Sequence, residues 1–204
     1  DLPPEGSLFP DTYKFTRGYK RAAIVQQMKA VQAKVLDEVW AKRDKDLPIS
    51  SKEDLLTLAS IVEKETGKAD ERPQVASVFL NRLKKGMRLQ SDPTIIYGLY
   101  GGDGKPGDAA ILKSQIGKET PYNTYVIKGL PPTPIANPGR AALEAVANPS
   151  HTNYLYFVAD GTGGHVFAET LEEHNDNVKR YRKAQADNNV TPDEVGNDPG
   201  TQQN

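Results

Sequence analysis

The chain has 204 residues, 37% of them hydrophobic and 26% charged, with a formal net charge of -1 and no cysteine. That is a globular composition with enough apolar material for a core, in one domain or one domain with an appendage. It excludes disulfides, thiolate catalysis and Cys-based zinc sites, and it leaves no basic field to hold nucleic acid.

Residues 1–18 are rich in Pro, Gly and aromatics and read as an ordered loop or short strand. From about Tyr19 to Arg43, Ala23, Ile24, Met28, Val31, Val35 and Val39 recur at helical spacing and predict a long packing helix. Ser50-Ser51-Lys52-Glu53 is a capping-box signature for a second helix through about Thr66, closed by Gly67. A third helix starts at Glu71 and Arg72 with Pro73 in its first turn. It carries Val75, Val78, Phe79 and Leu83 on one face and ends at Gly86. Asp92-Pro93 reads as N-cap and first residue of a short helix, Thr94 to Gly98.

Gly101 to Gly107 must be a surface loop, and Pro131-Pro132-Thr133-Pro134 marks a second irregular segment. Asn137-Pro138 opens a helix to about Ala147, where Asn148-Pro149 stops it. Tyr154 to Ala159 has strand composition, the glycine-rich stretch from Asp160 to Gly164 turns, and His165 to Ala168 returns. Thr170-x-x-Glu173 caps a final helix to about Gln185. The expected fold is α+β, helix-rich with a small sheet or hairpin, in one domain over residues 1–186. Residues 187–204 are polar and read as a disordered tail.

On a wheel of about 100° per residue, Leu55, Leu58, Ala59, Ile61 and Val62 of the second helix share one broad face, while Lys64 points away. Glu65 falls between Leu58 and Ile61, and Glu63 at the other edge of the same arc. A carboxyl on an apolar face must find a partner or shift its pKa upward, and an acid held partly protonated near neutrality suits general acid catalysis of glycoside cleavage. Surface ion pairs in the last turn are the simpler account of both. The wheel does not choose between Glu63 and Glu65. His151, His165 and His174 are too scattered for a zinc motif, no metal is expected, and the Gly163-Gly164 turn lacks the Lys and Ser or Thr of a phosphate loop.

Ala59-Ser60-Ile61-Val62-Glu63-Lys64-Glu65-Thr66 resembles the catalytic helix of the endolytic murein transglycosylase (YceG-like) family. The likeness continues through residues 75–83, Gly86-Met87-Arg88-Leu89-Gln90-Ser91-Asp92-Pro93-Thr94, Tyr122-Asn123-Thr124-Tyr125, Gly129-Leu130-Pro131-Pro132, Ala136-Asn137-Pro138-Gly139 and residues 154–161. It spans Glu5 to about Tyr181. The resemblance implies a lysozyme-like helical domain that cuts peptidoglycan glycan strands without a cofactor and leaves 1,6-anhydro ends. In that family the catalytic Glu precedes a small hydroxyl residue, a pattern met by Glu65-Thr66 and not by Glu63-Lys64. The resemblance therefore carries the acid/base role to Glu65 and leaves Glu63 a supporting carboxylate paired with an Arg.

Gln90 and Asp92 follow the third helix at a turn suited to hydrogen-bonding sugar hydroxyls or an N-acetyl amide, although Asp92 as a plain helix cap is equally expected. Tyr122, Asn123 and Tyr125 interleave aromatic platforms with an amide, and the resemblance places Asn123 near the catalytic Glu. It also implies the periplasmic face of a bacterial inner membrane, with cell-wall synthesis proteins as further partners. The chain has no run of the roughly 20 apolar residues of a membrane span. Asp1 in place of Met reads as a processed or excised piece, with any anchor upstream. Two rival functions are a glycan-binding scaffold module that does not cut, and a pyridoxal-phosphate lyase acting on aminodeoxychorismate. The latter needs a Schiff-base Lys and a phosphate cradle, neither of them legible here.

Overall fold

The structure, a computed structural model, describes residues 2–107 and 110–188. Its helices are α1 (Arg21–Ala41), α2 (Lys52–Glu65), α3 (Arg72–Lys84), α4 (Asp92–Tyr100), α5 (Lys113–Ile116), α6 (Arg140–Ala147) and α7 (Leu171–Asn188). A 3-10 turn, Gly101–Asp103, follows α4. Strands β1 (Tyr156–Ala159) and β2 (His165–Ala168) pair antiparallel, with Tyr156 opposite Ala168 and Ala159 opposite His165. The molecule is α+β and helix-rich with one hairpin, as its periodicities predict.

The centre is α2. Leu55, Leu58, Ala59, Ile61 and Val62 are fully buried, and Thr57 and Ser60 are buried with them. A helix enclosed on nearly every side is a core helix rather than a surface one. It packs against α6, α3, α1 and α4, while the hairpin sits between α3 and α7. Ser60 is tolerated in this interior because its hydroxyl donates to the Thr57 carbonyl at 2.6 Å and accepts from the Ile135 N–H at 3.0 Å. Burial at that depth is permitted only to hydroxyls with partners.

The ends of the helices correct several expectations by one or two residues. The capping box of α2 is Ser51 with Asp54, not Ser50 with Glu53: the Ser51 hydroxyl accepts the Asp54 N–H, and the Asp54 carboxylate accepts the Ser51 N–H. Asp54 also takes the Ser50 N–H and hydroxyl, so the two adjacent serines compete for one partner and the second wins the cap. The N-cap of α4 is Ser91, which moves Asp92 to the first helical position with Pro93 behind it. The N-cap of α6 is Gly139, so Asn137-Pro138 lies outside the helix.

At the end of α3, Gly86 adopts φ +66°, the Met87 N–H donates to the Arg82 carbonyl, and the Gly86 N–H to that of Leu83. This double closure needs a left-handed residue and explains the glycine. Thr170 and Glu173 cap α7 as the motif predicts. The first strand begins at Tyr156 instead of Tyr154, because the Tyr154 and Thr152 carbonyls accept from the Asn81 side chain. Residues 2–18 form no strand. The last helix runs to Asn188, beyond the expected stop at Gln185 and two residues into the segment read as a tail; residues 189–204 of that segment lie outside the described residues.

Candidate active site

Helix α2 ends at Glu65, and the next residue, Thr66, is extended at φ -142° and ψ 133°. The Thr66 hydroxyl accepts the Lys68 N–H at 3.0 Å, which turns the chain sharply away. Glu65 is therefore the last helical side chain. Lys64 is exposed, as the wheel predicts. Glu65 as a residue keeps a partial exposure, yet protein atoms crowd its carboxyl.

That crowding pushes its pKa up to about 8 from an ordinary 4.5. Burial is the main cause, the Ser91 hydrogen bond opposes it, Asp92 adds to it, and the Arg82 guanidinium opposes it weakly. Its position at the negative end of the α2 dipole acts in the upward direction too. At neutral pH Glu65 is thus predominantly a carboxylic acid with a proton to give.

Around it stand three chain segments. Arg82 of α3 is buried, and its Nε donates to the Leu155 carbonyl at 2.6 Å. Its Nη1 donates to the carbonyls of Arg88 and Leu89 and to Gln90 Oε1 at 3.1, 3.2 and 3.1 Å. Burial lowers the Arg82 pKa to about 10, which still leaves it charged at neutrality. Gln90 sits at φ +54°, and the Ser91 Oγ beyond it donates to Glu65 Oε1 at 2.5 Å. The third segment is the loop around Thr124, whose hydroxyl accepts the Ser91 N–H at 2.9 Å and pairs with the Thr94 hydroxyl at 2.8 Å. Tyr125 completes it by donating its hydroxyl to Asp92 Oδ1 at 2.6 Å. Burial, and after it the Asp92 carboxylate, drives the Tyr125 pKa far upward, so this phenol stays a donor.

The two glutamates of α2 part company here. Glu63 takes the Gly139 N–H on Oε2 at 3.0 Å and the Arg72 guanidinium on Oε1 at 3.5 Å. The first contact tethers the start of α6 to α2, and the second bridges α2 to α3. Glu63 thus has the Arg partner that the resemblance implies.

A model of the YceG-like family matches residues 2–180. The chain belongs to the YceG-like family. Relatives bear this out at considerable identity. A Bacillus subtilis protein named endolytic murein transglycosylase is 40% identical over 179 residues, covering 88% of this chain and 48% of its own length. A Streptococcus pneumoniae protein of the same name is 37% identical over 183 residues, covering 87% of this chain and 32% of its own. A crystal structure at 2.6 Å of a Listeria monocytogenes protein described as YceG-like superposes with a TM-score of 0.69 at 39% identity, over 84% of this chain and 54% of that one. The YceG-like chain spans about half the length, or less, of the relatives it matches.

Within this YceG-like fold the expected site residues separate. Glu65, Asp92 and Tyr125 come together, with Gln90 one residue from the Ser91 contact. Asp92 is not the cap of α4, so its carboxylate is directed at Tyr125. Asn123 is a different matter. It is fully buried, its Nδ2 donates to the Ile116 and Lys118 carbonyls at 2.8 and 2.7 Å, and its Oδ1 accepts the Tyr125 N–H at 3.0 Å. Both amide hydrogens and the oxygen hold the loop, so the expectation that this side chain binds substrate gives way to a structural role. Tyr122 lies edge-on to Tyr97 with centroids 4.7 Å apart and shares a 2.8 Å hydrogen bond with Thr133. It remains half-buried.

Sequence reasoning missed Ser91, Arg82, Thr94 and Thr124. Arg82 left a trace, since it stands three residues from Phe79 and four from Val78 on the apolar face of α3, where a cation needs an explanation. Ser91 left one too, as a hydroxyl directly before Asp-Pro. Among the described residues no group of His, Cys, Asp or Glu is arranged to hold a metal ion, and no helix is long and apolar enough to cross a membrane.

Proposed function

We propose that this chain is the catalytic domain of a lytic transglycosylase that cuts peptidoglycan glycan strands internally, with Glu65 as its acid/base. The observation that carries the reading is a carboxyl at the end of a core helix whose pKa is lifted to about 8. The names of the relatives supply the substrate class. Glu65 protonates the glycosidic oxygen between N-acetylmuramic acid and N-acetylglucosamine as the C1–O bond breaks. The C6 hydroxyl of the same muramyl residue then closes on C1, and Glu65 takes up the proton that this hydroxyl loses. One C–O bond breaks and one forms, and no water is consumed. A single group serves as acid and then as base. The Arg82 charge and the Ser91 hydroxyl support the carboxylate in the interval between the two transfers. Tyr122 is a half-buried aromatic ring suited to a sugar face, and Gln90 and Asp92 are polar groups close to the reacting bond.

Such an enzyme works outside the cytoplasm, where murein lies, and we place it at the periplasmic face of the inner membrane beside the cell-wall synthesis proteins. One observation favours a hydrolytic alternative. Asp92 is a second carboxyl within electrostatic reach of Glu65, and hydrolases that act by inversion use such a partner to activate water. The products discriminate. Digested strands analysed by mass spectrometry are expected to carry 1,6-anhydro ends, lighter by one water than hydrolysed ends. Glu65→Gln is expected to lower the rate by at least ~10²–10⁴, and Glu63→Gln far less. Reducing ends that retain the water would establish a muramidase instead, and loss of activity in Glu63→Gln alone would show that the wrong carboxylate carries the chemistry.

A further inference from the structure

A serine at a helix N-cap ordinarily turns its hydroxyl onto the N–H groups that open the helix. Ser91 is the N-cap of α4, yet its side chain makes no capping bond, and its Oγ donates to Glu65 Oε1 at 2.5 Å instead. The residue is fully buried, so it has no surface with which to touch a glycan. Immediately before it, Gln90 occupies φ +54°, a left-handed conformation that a side chain with a Cβ enters only under constraint. The constraint is visible. Arg82 Nη1 donates to Gln90 Oε1 and to the two carbonyls that precede it, while its Nε is anchored on the Leu155 carbonyl. From the other side the Gln90 N–H donates to the Thr124 carbonyl and the Ser91 N–H to the Thr124 hydroxyl. A missing cap bond, a strained dihedral and a buried cation are three departures from the local optimum, and they converge on one hydroxyl. Such clusters of broken local rules mark functional sites.

We infer that Arg82, Gln90 and Ser91 form a positioning device for Glu65, in which the buried guanidinium locks the left-handed turn and the turn sets the Ser91 hydroxyl on Oε1. The inference rests on reading Glu65 as the acid/base. One oxygen of a carboxylic acid carries the proton and the other accepts. A donor fixed on Oε1 therefore puts the acid proton on Oε2, so that a single oxygen gives the proton to the leaving group and recovers it from the C6 hydroxyl. The charged groups that face Glu65 are Arg82 of α3 and Asp92 of α4, with the Tyr125 phenol close by.

The titration of the Glu65 carboxyl, followed by carbon-13 NMR and assigned with Glu65→Gln, tests the device without requiring turnover. In Ser91→Ala the midpoint is expected to move to higher pH, and in Ser91→Thr, which keeps the donor, to return toward that of the unaltered protein. Glycan cleavage by Ser91→Ala is expected to show kcat reduced ~10–100-fold by loss of alignment, with KM unchanged because Ser91 touches no substrate. Gln90→Gly fits the left-handed turn and removes the Arg82 contact, so it is expected to shift the midpoint in the same direction by less. An unmoved titration in folded Ser91→Ala overturns the inference, as does a rise in KM with kcat intact. An unmoved titration in Gln90→Gly overturns the part assigned to Arg82. Titrations that shift as expected in the variants, while the unaltered protein releases no glycan ends, would sink the proposed function and leave the coupling standing.

Discussion

Replacing Glu65 by Gln is expected to make the protein more stable, and to do so only where the carboxyl would otherwise ionise. The carboxyl has an ordinary pKa of 4.5 and a folded value of about 8, raised chiefly by burial. A group whose pKa rises on folding binds its proton more tightly in the folded state. Its contribution to stability is complete below pH 4.5 and is lost as the pH climbs through about 8. Each pKa unit corresponds to about 1.4 kcal/mol, so the full displacement amounts to about 5 kcal/mol at pH 9 and above. Local relaxation and entry of water reduce penalties of this kind, and about 2–5 kcal/mol is the working range.

Gln is nearly isosteric, its carbonyl can still accept from Ser91, and it never ionises. For a domain of this size 1 kcal/mol moves Tm by roughly 2–4 °C. Melting curves of both proteins between pH 5 and pH 9 should start nearly superimposed. They should then separate by about 4–20 °C at the alkaline end, with the Gln variant on top. A separation that is constant across the range would mean that Glu65 titrates as an ordinary carboxyl. One that grows toward acid would mean that Arg82 outweighs burial and that the proton needed for general acid catalysis is absent at neutrality.

Two further outcomes follow from the same contacts. Arg82→Met strips the donors from the carbonyls of Leu155, Arg88 and Leu89 and from the Gln90 amide. It should lower the stability measured by urea unfolding by about 3–5 kcal/mol, and a change within ~0.5 kcal/mol would refute the clamp. Asn123→Ala leaves two carbonyls and one N–H without partners and should cost about 2–4 kcal/mol with little effect on KM; a raised KM at an unchanged urea midpoint would restore this residue to the substrate site.

Six of the seven α-helices among the described residues were legible, and in order, because each is written in local terms. The apolar positions of α1, the Pro73 start and Gly86 stop of α3, and the Thr170–Glu173 cap of α7 involve groups within a few residues of one another. The short α5 was not, since four residues show no periodicity to read. Cap positions slipped where two candidates stood side by side, Ser50 with Ser51 and Ser91 with Asp92.

Of the site, the sequence by itself determined that two glutamates flank the apolar arc of α2 and that a polar turn and a Tyr-Asn loop follow. It could not rank Glu63 against Glu65 on the wheel, because the difference lies in what surrounds them. Glu63 meets the Gly139 N–H, 76 residues away, and remains a tether. Glu65 meets Ser91, 26 residues away, within a shell crowded enough to keep its proton. Asn123 shows the same limit in reverse: an amide beside two tyrosines suits a carbohydrate on paper, yet the folded loop turns it inward to hold carbonyls five and seven residues back. Local pattern determines which side chains are available at each stretch. Burial and long-range partners, which exist only once α2, α3 and the 88–94 turn are packed together, decide which carboxyl keeps its proton.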